Sequence, residues 1–214
     1  MRKILLLFLL TVISIFTIQA QDKIGFSFGQ VFSGFKFKDS QGNQDANLSS
    51  KINFACLIHY QKEFKSGIFI KPEISFNNLG AKSSFNHTNL DWDMHYLAIN
   101  LNAGYIYNKY RFKPYTGIGF YYGYLYNANQ LIGSDTYDLL ETKAISASDM
   151  GLNLSLGVRY DYNYNSAVFL ELRNSIGLKQ LDNNLNGGSK ELYNRFSTIQ
   201  FGIIFNLNRI KVAP

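Results

Sequence analysis

The chain has 214 residues, of which 46% are hydrophobic and 16% are aromatic, with only 3 prolines. This length and composition suit one folded domain and argue against a disordered chain or a helical bundle. The net charge of +6 is scattered, without a run of basic residues, so nucleic acid is excluded as an expected partner. A mean hydropathy of -0.11 agrees with strands that carry one apolar face and one polar face.

Residues 1–20 predict a signal peptide. They begin with the charged residues Arg2 and Lys3. An apolar stretch of about 15 residues follows, which is shorter than the roughly 17–25 residues of a spanning helix. Ala20 is the small residue expected before a cleavage site, so we predict cleavage between Ala20 and Gln21.

The remaining residues, 21–214, are predicted to form one outer-membrane domain. They contain no apolar segment as long as a spanning helix, so a mature chain that crosses a membrane must do so as a closed barrel of strands. Cys56 is the single cysteine and cannot form an internal disulfide. Stability is therefore expected to come from the backbone ladder and from packing.

In chain order, eight runs of alternating apolar and polar residues predict β-strands. Each run is long enough to cross a bilayer at a tilt, which takes about 9–11 residues. The even number is typical of single-chain bacterial barrels and leaves both ends of the chain on one rim. The runs lie at residues 23–35, 50–61, 66–77, 94–107, 112–126, 149–162, 166–179 and 195–207.

The links between these runs alternate between short and long. Outer-membrane barrels have short turns on the periplasmic rim and long loops outside the cell. We therefore predict an all-β fold, an eight-stranded antiparallel up-and-down transmembrane β-barrel in the bacterial outer membrane. The short links are 62–65, 108–111 and 163–165, and the long links are 36–49, 78–93, 127–148 and 180–194.

The two faces of the strands are clearest in the hairpin at residues 149–179. One face is apolar or aromatic in both runs, and only Asn174 breaks the row. Turning this face inward would place Arg159 and Arg173 in lipid, at a cost of about 2–4 kcal/mol each near the midplane. The apolar face consists of Met150, Leu152, Leu154, Leu156, Val158, Tyr160, Tyr162, Val168, Leu170, Leu172, Ile176 and Leu178.

The opposite face carries charges that are predicted to point into the barrel and to form a network of paired charges. An eight-stranded barrel has room for little more than its own side chains, so we expect a filled interior in preference to a selective pore. The predicted network consists of Lys71, Glu73, Arg159, Asp161, Glu171, Arg173 and Lys179.

Glycines at positions 117, 119 and 123 share the inward face of the fifth strand. Their spacing does not match a phosphate-binding loop, and no helical pattern follows them. They are expected to provide steric room inside the barrel and to let the sheet bend.

One cluster of potential metal ligands lies at the end of the second long loop. His87, Asp91, Asp93 and His95 lie close together there and have side chains that metal ions prefer. Their spacing matches no known metal motif, so we expect solvated polar surface and no metal or other cofactor. No catalytic site is expected either, because none of the histidines has a neighbouring serine in a recognisable hydrolase motif.

Five strand segments share their order and spacing with a known family. They are YLAINL at 96–101, KPYTGIGF at 113–120, GLNLSLGVRY at 151–160, FLELR at 169–173 and FSTIQFG at 196–202. Through them, essentially the whole mature chain resembles the PorT-like outer-membrane β-barrel proteins of Bacteroidetes. The resemblance implies an integral outer-membrane barrel from a family whose namesake is tied to protein secretion.

Such barrels usually end at an aromatic residue of the last strand, which the assembly machinery recognises. The resemblance therefore makes Phe205 the best candidate for that signal, although the sequence continues to Pro214.

The sequence as a whole predicts a monomeric, non-enzymatic barrel surrounded by outer-membrane lipid and inserted by the barrel-assembly machinery. The length of loops 78–93 and 127–148 suggests contact with a surface or envelope protein. Two alternatives remain open at this point. One is a small selective pore, and the other is a secreted, lipocalin-like lipid carrier with its apolar residues inside.

Overall fold

The structure is a computed structural model that describes residues 20–38, 48–85, 88–183 and 191–207. The described residues form nine antiparallel strands. Eight are long, and β6 is a short strand that follows the tip of β5. The strands are β1 (Ala20–Lys38), β2 (Leu48–Phe64), β3 (Ile68–Phe85), β4 (Thr88–Ile106), β5 (Phe112–Ile132), β6 (Asp135–Asp138), β7 (Ser148–Asp161), β8 (Ser166–Gly177) and β9 (Glu191–Asn206).

The eight long strands close into a ring. Each pairs with its neighbour along the chain, β5 pairs with β7, and β1 pairs with β9. β6 pairs with the upper end of β5 and lies outside the ring. This arrangement confirms the predicted eight-stranded antiparallel up-and-down barrel.

The strands are staggered around the ring. Starting at Asp22 in β1, we moved from each residue to its paired residue on the next strand. One circuit of the barrel returns to β1 at Phe32, which is ten residues further along the chain. A stagger of this kind sets the tilt of the strands, and together with the strand number it sets the diameter of the barrel. The result is a narrow tube whose interior side chains reach one another.

The side chains alternate between the outer wall and the interior as predicted. Leu154 on the outer wall is 59% exposed, whereas the neighbouring Ser155 is 3% exposed. Glu171 and Arg173 are buried, and Leu172 between them is exposed. The apolar side chains therefore face lipid, which excludes the lipocalin-like alternative.

Two regions predicted as long loops contain strands: 78–93 is almost entirely strand, and about half of 127–148 is strand. β3 continues to Phe85 and β4 starts at Thr88, while β5 continues to Ile132 and is followed by β6. The prediction of loops was wrong for these strand segments because their outer face leaves the lipid, while inward-facing residues such as Leu79 and Met94 remain buried. Without a lipid-facing side, their sequences lose the alternation that marks a membrane strand.

Several predicted features lie partly or wholly outside the described residues. Of the predicted signal peptide, the structure describes only Ala20, the first residue of β1. Phe205 lies in β9, paired with Ile24 of β1 and Ser166 of β8. No helix in the described part of the chain is long and apolar enough to cross a membrane.

The position of Leu154 predicts a cost for charge on the outer wall. We expect Leu154→Arg to lower the free energy of unfolding by about 2–4 kcal/mol, because it places a charge near the midplane of the bilayer. Denaturant titration in lipid vesicles measures this difference. Tyr162→Arg at the rim is the control, with an expected cost of about 0–1 kcal/mol. Equal costs for the two variants would contradict the assigned membrane position.

Candidate functional site

Most of the buried charged side chains inside the barrel belong to two groups. The first, here called the lower charge group, lies near the short turns and consists of Lys23, Glu63, Lys113, Arg159 and Asp161. Arg159 Nη1 lies 2.6 Å from Glu63 Oε2, and Arg159 Nε donates to Asp161 Oδ1 at 3.0 Å. Lys23 lies 2.5 Å from Glu63, and Lys113 lies 2.7 Å from Asp161. Three cations therefore share two carboxylates.

The second group, here called the upper charge group, consists of Lys71, Glu73, Glu171 and Arg173. Arg173 Nη2 lies 2.7 Å from Glu171 Oε1 and 2.8 Å from Glu73 Oε2. Lys71 Nζ lies 2.8 Å from Glu171 and 3.4 Å from Glu73. Two cations and two carboxylates balance one another in a site that is almost entirely buried, where each unpaired charge would be costly.

Neutral side chains also donate hydrogen bonds to the carboxylates of the upper charge group. Gln200 donates to Glu171 Oε1 at 2.5 Å, and the Tyr115 hydroxyl donates to Glu171 Oε2 at 2.9 Å. Asn102 donates to Glu73 Oε2 at 2.5 Å. The carboxylates are thus held both by ion pairs and by hydrogen bonds from neutral side chains on other strands.

The structure divides the seven charges predicted as one network. Lys71, Glu73, Glu171 and Arg173 make up the upper group, and Arg159 and Asp161 belong to the lower group. Lys179 joins neither, because β8 ends at Gly177 and its ammonium group contacts Ser148 instead. Placing Lys179 in the network was wrong because the strand period was continued two residues past the end of the strand.

Sequence reasoning missed Lys23, Glu63 and Lys113. Glu63 was placed in a turn, but β2 continues to Phe64. Its position, two residues after the inward-facing Gln61, is the signal that would have found it. Lys23 and Lys113 lie close to the ends of their strands, where too few neighbouring residues remain for the alternation of apolar and polar side chains to indicate the inward face.

Large side chains between the charge groups fit because facing residues are glycines. Tyr115 and Phe69 pack edge to face with ring centroids 6.0 Å apart. A Cβ at Gly157 would lie 2.3 Å from Tyr115 Cζ, and one at Gly119 would lie 2.0 Å from Asn102 Oδ1. The steric room predicted for the glycines of β5 is thus present at Gly119, where the absence of a side chain leaves space for the Asn102 amide.

An uncharged polar layer lies above the upper charge group. Asn153 donates to Asn100 at 3.1 Å, and Asn100 donates to Ser75 at 3.1 Å. Ser175 donates to Asn153 at 2.8 Å, and Asn77 donates to Ser75 at 2.9 Å. These bonds tie β3, β4, β7 and β8 together across the interior.

The extracellular half of the interior is apolar, which the sequence analysis did not predict. Its lower boundary is polar: Asp149 accepts from Tyr121 at 2.9 Å and from Asn194 at 2.8 Å. Above that boundary the buried side chains form one cluster, here called the apolar plug. It contains Val31, Leu57, Leu79, Met94, Tyr96, Leu125, Ala128, Leu139, Ile145, Leu181 and Phe196.

Three members of the apolar plug, Leu139, Ile145 and Leu181, come from segments between strands. Leu139 N donates to Ala128 O at 2.9 Å, and Leu181 N donates to Leu192 O at 2.9 Å. Ile145 forms an isolated bridge to Asp182. The two segments therefore bind each other and the strands, and they cover the barrel where β7 and β8 are short.

The interior leaves little free space. A cavity of about 20 Å³ lies in the polar layer, and one of about 10 Å³ lies beside His59. Each is close to the size of a single water site, which takes roughly 10–15 Å³. On the short-turn rim, an open cavity of about 570 Å³ extends into the barrel as far as Arg159 in the lower charge group.

Above the membrane, β3, β4, β5 and β6 form what we call the extension. It is held by Lys51 of β2, whose ammonium group lies 2.6 Å from Asp91 and 3.3 Å from Asp93. At its tip, Leu131 is 41% exposed and Tyr137 is 47% exposed. The extension is therefore an ordered surface with apolar side chains in contact with water.

The candidate metal ligands are engaged elsewhere. Asp91 and Asp93 contact Lys51, and His95 Nε2 lies 3.5 Å from Asp93 Oδ2. His87 lies outside the described residues. Within the ranges that the structure describes, no three His, Cys, Asp or Glu side chains are grouped as metal ligands.

Comparison with known proteins gives a family and several similar folds. Residues 19–183 match the family described as an outer membrane protein beta-barrel domain. A major outer membrane protein from Thermus thermophilus is 11% identical with a TM-score of 0.55, over 87% of this chain and 99% of that chain. A comparison with curated proteins found no match.

Two further solved structures are similar. OprG from Pseudomonas aeruginosa is 16% identical with a TM-score of 0.50, over 88% of this chain and 97% of that chain. Neisserial surface protein A is 14% identical with a TM-score of 0.50, over 86% of this chain and 97% of that chain. At these identities the likeness shows the fold alone.

The balance of the upper charge group predicts strong coupling between its members. We expect Glu171→Gln to lower the free energy of unfolding by about 3–5 kcal/mol, because it leaves two buried cations with one carboxylate. Adding Lys71→Met restores the balance and should recover part of that loss. Denaturant titration of the single and double variants in vesicles measures the coupling.

The exposed Lys82 provides a control for this cycle. Lys82→Met should change the free energy of unfolding by less than about 0.5 kcal/mol. Strictly additive effects of Glu171→Gln and Lys71→Met would contradict the assigned ion pair.

Proposed function

The chain belongs to the outer membrane protein beta-barrel domain family, and from this premise we propose that it is a non-enzymatic membrane anchor for a surface-binding extension. The observation that carries the proposal is the combination of a filled interior with an ordered extension above it. The partner would be a protein of the cell surface or envelope.

The filled interior argues against transport through the barrel. A solute would have to pass the lower charge group, the upper charge group and the apolar plug in turn. Passage would break buried ion pairs such as Arg173–Glu171 and displace packed residues such as Leu181. Each step is energetically costly, because a buried charge that loses its partner has no water to replace it.

The shape of the extension supports a binding role. β4 and β5 remain paired up to Leu90 and Ile132, so the extension is preorganised and loses little conformational freedom when it binds. Among the described residues, β6 pairs only with β5 and is an edge strand. Edge strands bind extended segments of other proteins through backbone hydrogen bonds.

A closer relationship to the PorT-like proteins is part of the proposal. It is supported by the order of the strand segments, including GLNLSLGVRY at 151–160. On this basis the partner belongs to an envelope complex linked to protein secretion. Phe205 in β9 would be the signal read by the barrel-assembly machinery when the protein is inserted.

Conductance measurements test the filled interior. We expect the purified protein in planar bilayers to give no stable conductance, because the charge groups and the apolar plug block the barrel. Reproducible channels of porin size would contradict the proposal and favour a pore.

Site-specific photocrosslinking in intact cells tests the binding role. A photoreactive residue at Tyr137 should yield a defined protein adduct, because this side chain is exposed at the tip of the extension. The same residue at Leu154, which faces lipid, is the control and should not yield that adduct. Identical adduct patterns at both positions, or no adduct at Tyr137 or at Leu131, would count against a surface partner.

A further inference from the structure

The outer wall has a polar side chain at the centre of an apolar patch. Gln30, in the middle of β1, faces outward and is exposed. It pairs with Phe54 of β2 on one side and with Ile199 of β9 on the other. Phe28 and Phe32 flank it along the same face of β1, and Phe28 is 67% exposed. Gln30 therefore lies within the lipid-facing belt and away from either rim.

Two other polar side chains of the outer wall form hydrogen bonds within the barrel. Asn174, which interrupts the apolar row of β8, donates to Ser197 Oγ at 2.8 Å. Thr116 Oγ1 donates to the backbone oxygen of Ser155 at 3.0 Å. The Gln30 amide has no such partner among the described residues, and acyl chains offer neither a donor nor an acceptor.

A second copy of the chain can supply the hydrogen-bond partner that the Gln30 amide lacks. An amide carries both donors and an acceptor, so two amides related by a two-fold axis can bond to each other. A different protein would need its own polar group at the same depth in the membrane, whereas a second copy necessarily has one. The surrounding aromatic side chains would exclude lipid from this contact, as the rim of a binding hot spot excludes water.

We infer that this protein forms a homodimer in the membrane, with the two Gln30 amides hydrogen-bonded across a two-fold axis. We call Gln30 and its neighbours Phe28, Phe32, Phe54 and Ile199 the Gln30 patch. The inference replaces the monomer expected from the sequence.

The position of the Gln30 patch leaves the extension free. In the ring of strands, β1 lies opposite β5, which carries β6 and the tip of the extension. A dimer formed through β1 would therefore present two extensions that point away from the contact. The inferred dimer and the proposed surface role can be tested independently, because neither contact covers the other.

Disulfide trapping tests the position of the axis. Cys56 is exposed on the outer face of β2, two residues from Phe54. The experiment therefore uses a Cys56→Ser background, in which Cys56 cannot form cross-links of its own. In that background and in lipid vesicles, Gln30→Cys should give a covalent dimer on oxidation. Phe120→Cys on the outer face of β5 is the matched control and should remain monomeric. No dimer from Gln30→Cys, or equal dimer from Phe120→Cys, would overturn the inference.

The contribution of the amide is tested by Gln30→Leu. The variant should fold normally, since leucine suits lipid, but its dimer dissociation constant in vesicles should rise roughly tenfold. Energy transfer between dyes attached through Lys109→Cys, also in the Cys56→Ser background, measures this constant. Ile118→Leu on β5 is the control and should leave it unchanged. A wild-type protein that stays monomeric at every protein-to-lipid ratio, or an unaffected Gln30→Leu dimer, would contradict the inference.

Discussion

Inside a bilayer, every backbone N–H and C=O group of this chain has to find its partner within the chain itself. Hydrocarbon offers no hydrogen bonds, so an open edge at β1 or β9 would leave a row of unsatisfied groups. Pairing of β1 with β9 removes that edge. Closure with eight strands and a ten-residue stagger then fixes a narrow tube, and the tube determines what the interior can hold.

In a narrow interior with little free space, most polar groups must find their partners among the barrel's own side chains. Glu63 and Glu171 each accept from several donors. The lower charge group draws its members from four strands, and the upper charge group draws its members from two. Glycines such as Gly157 provide room for the large rings that separate the charges. The two halves of the interior solve the packing problem differently, with paired charges near the periplasm and apolar side chains near the cell surface.

The membrane part of the fold could be predicted from the sequence because lipid imposes a strict alternation. Leu154 and Leu172 are apolar because they face lipid, whereas Ser155 and Arg173 are polar because they face the interior. The sequence therefore indicates which side of the sheet each residue occupies. The ring, the strand order and the burial of the upper charge group follow from that rule. The ion pairs that cross the barrel do not, because their partners are far apart in sequence, by about a hundred residues for Lys71 and Glu171.

Beyond the membrane the rule fails. The outer face of the extension meets water and not lipid, so the sequences of its strands resemble loops. Their pairing emerges only from the hairpin geometry. The apolar plug was also missed, because Leu139, Ile145 and Leu181 lie outside any alternating run. Single apolar residues in polar segments are common on protein surfaces, and nothing in the local sequence distinguishes these three from them.

The long sequence separation across the interior has a consequence for how the barrel forms. Arg159 on β7 holds Glu63 on β2, and Leu181, which follows β8, helps to fill a space framed by β1, β3 and β4. Neither half of the chain can therefore complete its own interior while the other is missing. A partly inserted barrel would expose unneutralised carboxylates to the bilayer, so assembly is expected to be cooperative, with all strands committed before the interior becomes stable.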